Sequence, residues 1–215
     1  HCSPLPQLSL KMVCPLLLLF FATPALASDL CTYNYGVWHV GKRKTVRTVK
    51  VSKPRSQLSK QEMGPLDCTP CIQDQINLKL SNGVSFQICE KVAGPIMTAL
   101  ETALANGFQI KQLVGYRPSM SRGKVNAAGE RTILSNHAFG VAIDINQDDN
   151  GLYDNCITWG SKCRLIKGGR WNKKSPLALH AKHPLVLHLL KLGFKWGGQI
   201  AGKQKDMMHF STTGY

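Results

Sequence analysis

Acidic residues are scarce in this 215-residue chain: 12 Asp and Glu stand against 27 Lys and Arg, for a formal charge of +15. That balance favours anionic partners, either nucleic acid or an anionic cell envelope. The basic residues are nevertheless scattered, apart from Lys42-Arg43-Lys44, and no DNA- or RNA-binding motif is present, which argues against nucleic acid. Internal repeats and low-complexity tracts are missing. So is any apolar run of the roughly 20 residues that a transmembrane helix needs. Cys68-Thr69-Pro70-Cys71 has no second C-x-x-C to complete a zinc knuckle and no strand-then-helix setting for a thioredoxin-type site. Structural disulfides are the better reading of its cysteines.

The length suits one domain with a good core. Lys11, the apolar run from Val13 to Phe21 and Ala25-Leu26-Ala27 read as a secretory signal peptide over residues 1–27. Since the chain opens on His1, Met12 is the expected start and residues 1–11 an upstream artefact. The apolar run is short and broken by Pro15 and Pro24, so no stable membrane insertion is expected once the signal is removed. Beyond it lie Cys31, Cys68, Cys71, Cys89, Cys156 and Cys163, an even set that predicts disulfides in an oxidising compartment. Cys156 and Cys163 flank one short loop and form the easiest pair to propose; the other four leave three pairings open.

Residues 28–67 are basic and turn-rich, with one short strand expected around Val46–Val51. Ile76–Leu80 and Val84–Ile88 flank Asn82-Gly83 and predict a hairpin. A helix is predicted from Pro95, placed in its first turn, to Asn106, with Gly107 as the stop and Ile96, Leu100 and Leu104 as the apolar face. Gln109–Val114 reads as a strand. Residues 118–134 read as a polar surface loop, and 147–177 as a long irregular segment of the kind that carries function. A second helix spans Pro184–Leu192 before Gly193, and a last strand lies around Met207–Ser211. Helices and strands mix without a βαβ rhythm. The expected fold is α+β, a small antiparallel sheet with flanking helices.

Chemistry concentrates in two places. In Ser135-Asn136-His137-Ala138-Phe139-Gly140-Val141-Ala142-Ile143-Asp144-Ile145-Asn146, apolar Val141, Ile143 and Ile145 alternate with Ala142, Asp144 and Asn146. This predicts a half-buried strand with a carboxylate on its polar face and an imidazole just ahead of it. Asp206-Met207-Met208-His209-Phe210 supplies a second acid and imidazole. A catalytic zinc takes three protein ligands and keeps one position open. His137, Asp144 and His209 are the candidate ligands and Zn2+ the expected cofactor. Asp206, three residues before His209, is the candidate proton carrier. Arg117 is the candidate for an oxyanion or a substrate carboxylate.

These residues resemble the LAS metallopeptidases, which join lysostaphin-type peptidases, D-alanyl-D-alanine carboxypeptidases and the hedgehog domain. Gly115-Tyr116-Arg117, Ser135-Asn136-His137, Ala142 to Asn146, Trp196-Gly197-Gly198 and Asp206 to Phe210 appear in the order of the VanY-like D-alanyl-D-alanine carboxypeptidase branch. The resemblance implies an exported, wall-active zinc enzyme that cleaves peptidoglycan stem peptides; a monomer in the periplasm or cell envelope is the expectation. It divides the chain into the signal (1–27), a basic Cys-containing extension (28–72) and a zinc peptidase domain (73–215) with a hedgehog/D,D-peptidase-like fold. Tyr116, Ser135 and Trp196 become candidate substrate contacts, although Ser135 serves equally well to cap the loop before His137 and a tryptophan such as Trp196 is more often core than substrate platform. One residue departs from the branch: it usually carries Glu where this chain has Asp206. Asp there is similar to endolysins that cut L-alanyl-D-glutamate bonds, so that endopeptidase activity is the alternative.

Three further patterns have simpler readings. His180 and His183, like His39 and His188, read as surface histidines. Asn146-x-Asp148-x-Asn150-Gly151 resembles half an EF-hand, but Ile157 stands where the bidentate Glu belongs, so a turn is expected. Ser121-Arg122-Gly123-Lys124 fits the S-x-x-K of serine D,D-peptidases, yet no S-D-N or K-T-G follows. The non-enzyme alternative is a zinc-containing wall-binding module that has lost catalysis.

Overall fold

The computed structural model describes residues 29–214; the expected signal peptide lies outside the described residues. The chain first forms a long hairpin, β1 (Leu30–His39) and β2 (Lys44–Pro54), paired antiparallel from Leu30↔Pro54 to His39↔Lys44. The strand expected at Val46–Val51 is the middle of β2; β1 was not anticipated. Its inward residues are Cys31, Tyr33 and Val37, a cysteine and an aromatic where a strand pattern usually shows aliphatics. The predicted second hairpin is present as β3 (Gln75–Lys79) and β4 (Ser85–Cys89), with Ile76 opposite Ile88. Of the two turn residues only Gly83 takes positive φ.

Helix α1 (Glu90–Ala105) starts five residues earlier than expected, so Pro95 sits inside it. Pro95 lies on the exposed face next to Gly94, where the carbonyl that loses its N–H partner can meet water. The helix ends as predicted, at Asn106 and Gly107. The strand expected at 109–114 shrinks to β5 (Leu113–Val114), because the Asn146 side chain captures the N–H groups of Lys111 and Gln112.

Residues 118–134 are no loop. They hold β6 (Ser119–Val125) and β7 (Arg131–Leu134), and β6 pairs parallel with β1 through Gly36↔Ser119 and Val37↔Met120. A strand pair stitched to a distant hairpin needs little apolar alternation of its own, which is why its polarity misleads. β8 (Ala142–Ile145) follows. The segment 147–177 is irregular except for β9 (Leu152–Asp154) and β10 (Arg164–Lys167), a short hairpin. α2 (Pro184–Lys191) matches its expectation. The chain closes with β11 (Lys195–Trp196), β12 (Lys205–Asp206) and β13 (His209–Ser211).

The central sheet has the order β11-β13-β8-β5, all antiparallel, and a smaller one the order β10-β9-β12. Ile143, Ile145 and Phe210 on one face of the central sheet join Ile96 and Leu100 of α1 and Leu185 and Leu189 of α2 in a single core. The fold is α+β, as expected. β8 is not half-buried, however: all four of its residues are buried, Asp144 included. Its polar face is covered by other side chains of the protein rather than by water.

Disulfides join Cys31–Cys71, Cys68–Cys89 and Cys156–Cys163. The last is the predicted pair. The two cysteines of the C-x-x-C go to different partners, one on β1 and one at the end of β4, so the motif is a branch point that ties the N-terminal hairpin to the β3–β4 hairpin. Beside it, buried Glu62 accepts from the Tyr33 hydroxyl at 2.6 Å and from the Lys53 ammonium at 2.6 Å. Burial works to raise this carboxyl, but Lys53, Tyr33 and Ser59 outweigh it and hold it at about 2, against an ordinary 4.5. A depressed carboxyl stabilises the fold above its unfolded value and loses that contribution as pH falls through the folded one. Glu62→Gln is therefore expected to destabilise the protein at pH 7 by an amount on the order of 3 kcal/mol. Urea denaturation should show the gap to wild type closing between about pH 4.5 and pH 2.

Candidate metal centre

His137 sits in a short 3-10 turn, Asn136–Phe139, that ends on Gly140 at φ +63°. Only glycine fits there: a Cβ would stand 2.0 Å from Gln75 Oε1 and 2.5 Å from the Cys89 nitrogen. This sharp exit lets the chain pass from His137 directly into β8. Asn136 anchors the turn from below, donating to the Gly214 carbonyl at 2.9 Å and accepting from the Thr213 hydroxyl at 3.0 Å.

The antiparallel register of β8 and β13 puts His209 directly across from Asp144, at the cross-strand distance where side chains meet. β5 flanks β8 on the other side with Val114 opposite Asp144, and the next residue, Gly115, presents its carbonyl to His137 Nδ1 at 2.7 Å. A carbonyl can only accept, so Nδ1 carries the proton and Nε2 offers its lone pair to the centre. That nitrogen lies 3.1 Å from Asp144 Oδ1 and 3.3 Å from His209 Nδ1, and His209 Nδ1 lies 2.9 Å from the same Asp144 oxygen. All three side chains are buried.

In a neutral His137 ring this arrangement turns a lone pair toward a carboxylate, which is repulsive unless positive charge lies between them. Donors around a tetrahedral zinc with bonds of about 2.0–2.1 Å stand about 3.3 Å apart, close to the spacings found. The surrounding electrostatics point the same way. Burial alone would raise the Asp144 carboxyl, yet His137 and His209 hold it well below the usual carboxylate range. Burial alone would lower His209, yet the carboxylates of Asp144 and Asp206 raise it. The residues therefore fit a divalent cation bound by two imidazoles and a carboxylate.

The other sequence candidates divide. Arg117 is exposed, with its guanidinium 3.8 Å from Asp144 Oδ2, so it marks the solvent side of the cluster. Asp206 is buried on β12 and acts electrostatically on His209. Gly197 lies against it, where a Cβ would meet the Asp206 carbonyl at 2.3 Å. Trp196 takes the core position that the sequence weighed above a substrate contact. It is 4 % exposed, its indole N–H donates to the Met207 carbonyl at 2.8 Å, and Gly198 packs on its ring. It is a core strut under the Asp206–His209 segment rather than a substrate platform. Tyr116 is half-buried and its hydroxyl donates to the Pro70 carbonyl at 2.6 Å, which commits that group to the disulfide branch point. Ser135 precedes the His137 turn without a side-chain capping bond.

Arg122 was missed. It lies on β6 and lowers the His209 proton affinity, so a second cation acts on the centre. Nothing local flags it, because it depends on how β6 pairs with β1. The serine-peptidase pattern finds no support: Lys124 is exposed on β6, whose register shifts twice between Met120 and Val125. The Asn146 and Asn150 carbonyl oxygens accept from backbone N–H groups, which makes that loop a turn as expected.

Residues 128–212 match the family model of D-alanyl-D-alanine carboxypeptidase, the branch whose motif order the chain resembles. The matched segment contains His137, Asp144, Asp206 and His209; Arg117 and the disulfide branch point precede it. No curated protein and no solved structure matches the chain. If the cluster is a metal centre, Asp144→Asn should weaken Zn2+ binding by more than about 100-fold in a competitive chelator titration, with the circular dichroism spectrum unchanged.

Proposed function

Taking that family match over the segment that bears the cluster as premise, we propose that the protein is an exported zinc peptidase of peptidoglycan. Its preferred action is removal of the terminal D-alanine from D-alanyl-D-alanine stem peptides. The observation that carries this reading is the convergence of His137 Nε2, Asp144 Oδ1 and His209 Nδ1 within 3.3 Å of one another inside the matched segment. Three disulfides support an oxidising compartment, and no helix among the described residues is long and apolar enough to cross a membrane.

His137, Asp144 and His209 would hold a zinc ion, which would supply a Lewis acid for the scissile carbonyl and the attacking water. The protein's own groups do the rest. The Asp206 carboxylate takes the proton of the attacking water and returns it to the departing amine nitrogen. Gly115 keeps the proton of His137 on Nδ1, so that Nε2 stays a donor to the metal. Arg117, exposed at the mouth, faces the developing oxyanion or the substrate's terminal carboxylate. Arg122 adds positive potential behind it, suited to an anionic substrate end.

The second reading, cleavage of L-alanyl-D-glutamate bonds, is favoured by one residue, the short acid Asp206. Digestion of purified muropeptides followed by mass spectrometry separates the two. Release of free D-alanine, abolished by chelator and restored by zinc, is the expected result; separation of L-alanine from D-glutamate would instead establish the endopeptidase. Asp206→Ala should retain zinc while cleavage falls by about 100-fold or more. Undiminished cleavage in that variant would remove Asp206 from the mechanism. No cleavage of either bond by the wild type, with wall binding intact, would favour the non-enzyme module.

A further inference from the structure

The segment between β9 and α2 carries a second feature that the peptidase reading does not use. Tyr153, Trp159 and Trp171 form a perpendicular stack, with Trp159 4.8 Å from Tyr153 and 4.6 Å from Trp171 between ring centroids. Trp171 and Tyr153 are fixed by their polar atoms. The Trp171 backbone N–H donates to the Tyr153 hydroxyl at 2.6 Å, and its indole N–H donates to the Leu179 carbonyl at 2.8 Å. Trp159 rides on the small loop closed by Cys156–Cys163 and remains 43 % exposed. With Arg170, Trp171, Asn172 and Lys173 it lines an open cleft of about 600 Å³. Among the described residues neither Arg170 nor Lys173 forms an ion pair.

An exposed tryptophan normally costs solubility, and nothing in the core requires this one to be outside. Here it is held rigidly by two ring contacts and a disulfide, so little entropy is lost when something stacks on it. The amide and two cations around it are hydrogen-bond donors to hydroxyl and carbonyl oxygens. A rigid apolar ring face bordered by such donors suits a pyranose, which has a flat C–H face and polar edges. Single-stranded nucleic acid fits less well, because it needs a run of stacking rings along a basic groove.

We infer that this cleft binds the amino-sugar glycan strand to which the stem peptides are attached. The inference rests on the peptidase reading for the identity of the polymer. Placement agrees with it. β9 is hydrogen-bonded to β12, with Tyr153 opposite Lys205 and Leu152 opposite Asp206. Side chains alternate along a strand, so the aromatic stack lies on the face of this ribbon opposite the Asp206 carboxylate. A glycan held there would lie across the β9–β12 ribbon from Asp206 and leave the cluster open. A five-residue stem peptide at about 3.3–3.6 Å per residue reaches roughly 17 Å, enough to pass around a ribbon whose faces lie about 10 Å from neighbouring layers.

The test uses the full chain in two assays. In the first, protein is sedimented with insoluble peptidoglycan, and the indole N–H signals are followed by NMR during titration with a soluble N-acetylglucosamine tetramer. Trp159→Ala should weaken sedimentation about tenfold and Trp159→Phe much less, with the tetramer moving the Trp159 and Trp171 signals. In the second, cleavage of a soluble pentapeptide should stay within about twofold of wild type for both variants. Unchanged sedimentation of a folded Trp159→Ala protein overturns the inference. So does movement of the two indole signals by an oligonucleotide or by anionic vesicles but not by the tetramer. If Trp159→Ala fails to fold, Arg170→Gln with Lys173→Gln takes its place under the same criteria. Loss of pentapeptide cleavage by the wild type would sink the peptidase reading alone, since sedimentation and the tetramer titration do not depend on it.

Discussion

A carboxylate buried between two imidazoles is the constraint around which this molecule is arranged. Asp144 lies in a strand with no exposed residue, and an isolated charge in such a place is expensive unless it is paired. The pairing is produced by strand register. Ile143, Ile145 and Phe210 are fully buried on the opposite face, each contributing about 1.5–3 kcal/mol by leaving water. A slip of one residue would send them toward the cluster and Asp144 into the core. Core packing therefore fixes the position of His209 across from Asp144, and the chemistry inherits its precision from the hydrophobic face.

The rest of the chain supports that arrangement from several directions. Gly140 allows the turn that brings His137 in, and Gly115 holds its proton on the far nitrogen. Trp196, Gly197 and Gly198 brace the segment that carries Asp206 and His209. The N-terminal hairpin enters through β6, which brings Arg122 toward His209, and two disulfides clamp that hairpin to the start of α1. Few of these supports are charged, in keeping with a cluster whose own field already favours a cation.

Legibility varied with the range of the interaction. The β3–β4 hairpin, both helix ends at Gly107 and Gly193, and the Cys156–Cys163 pair were readable because each is decided within a few residues. Asp144, His137, Asp206 and His209 were readable as a group because their residue types and motif order left few other uses. β1, β6 and β7 were not: they pair with their chain neighbours while showing little apolar alternation, and the parallel contact that joins β1 to β6 spans about 80 residues. For Trp196 the core position was the favoured reading, but its partner was not readable: that its N–H meets the Met207 carbonyl depends on how β11 packs on the last segment.

By itself the sequence determined which side chains are the candidates for chemistry, the mixed α+β character and an even set of cysteines able to pair, because these follow from residue type, local period and cysteine parity. The tertiary structure alone decided which oxygen and nitrogens converge and which cysteines pair. It also decided that β8 is buried on both faces, that Arg122 acts on His209 and that Trp159 stands exposed on its disulfide-closed loop. Each of these depends on bringing distant segments to within a few ångströms of one another, and that is settled by how the core packs and the sheets register rather than by any local stretch of chain.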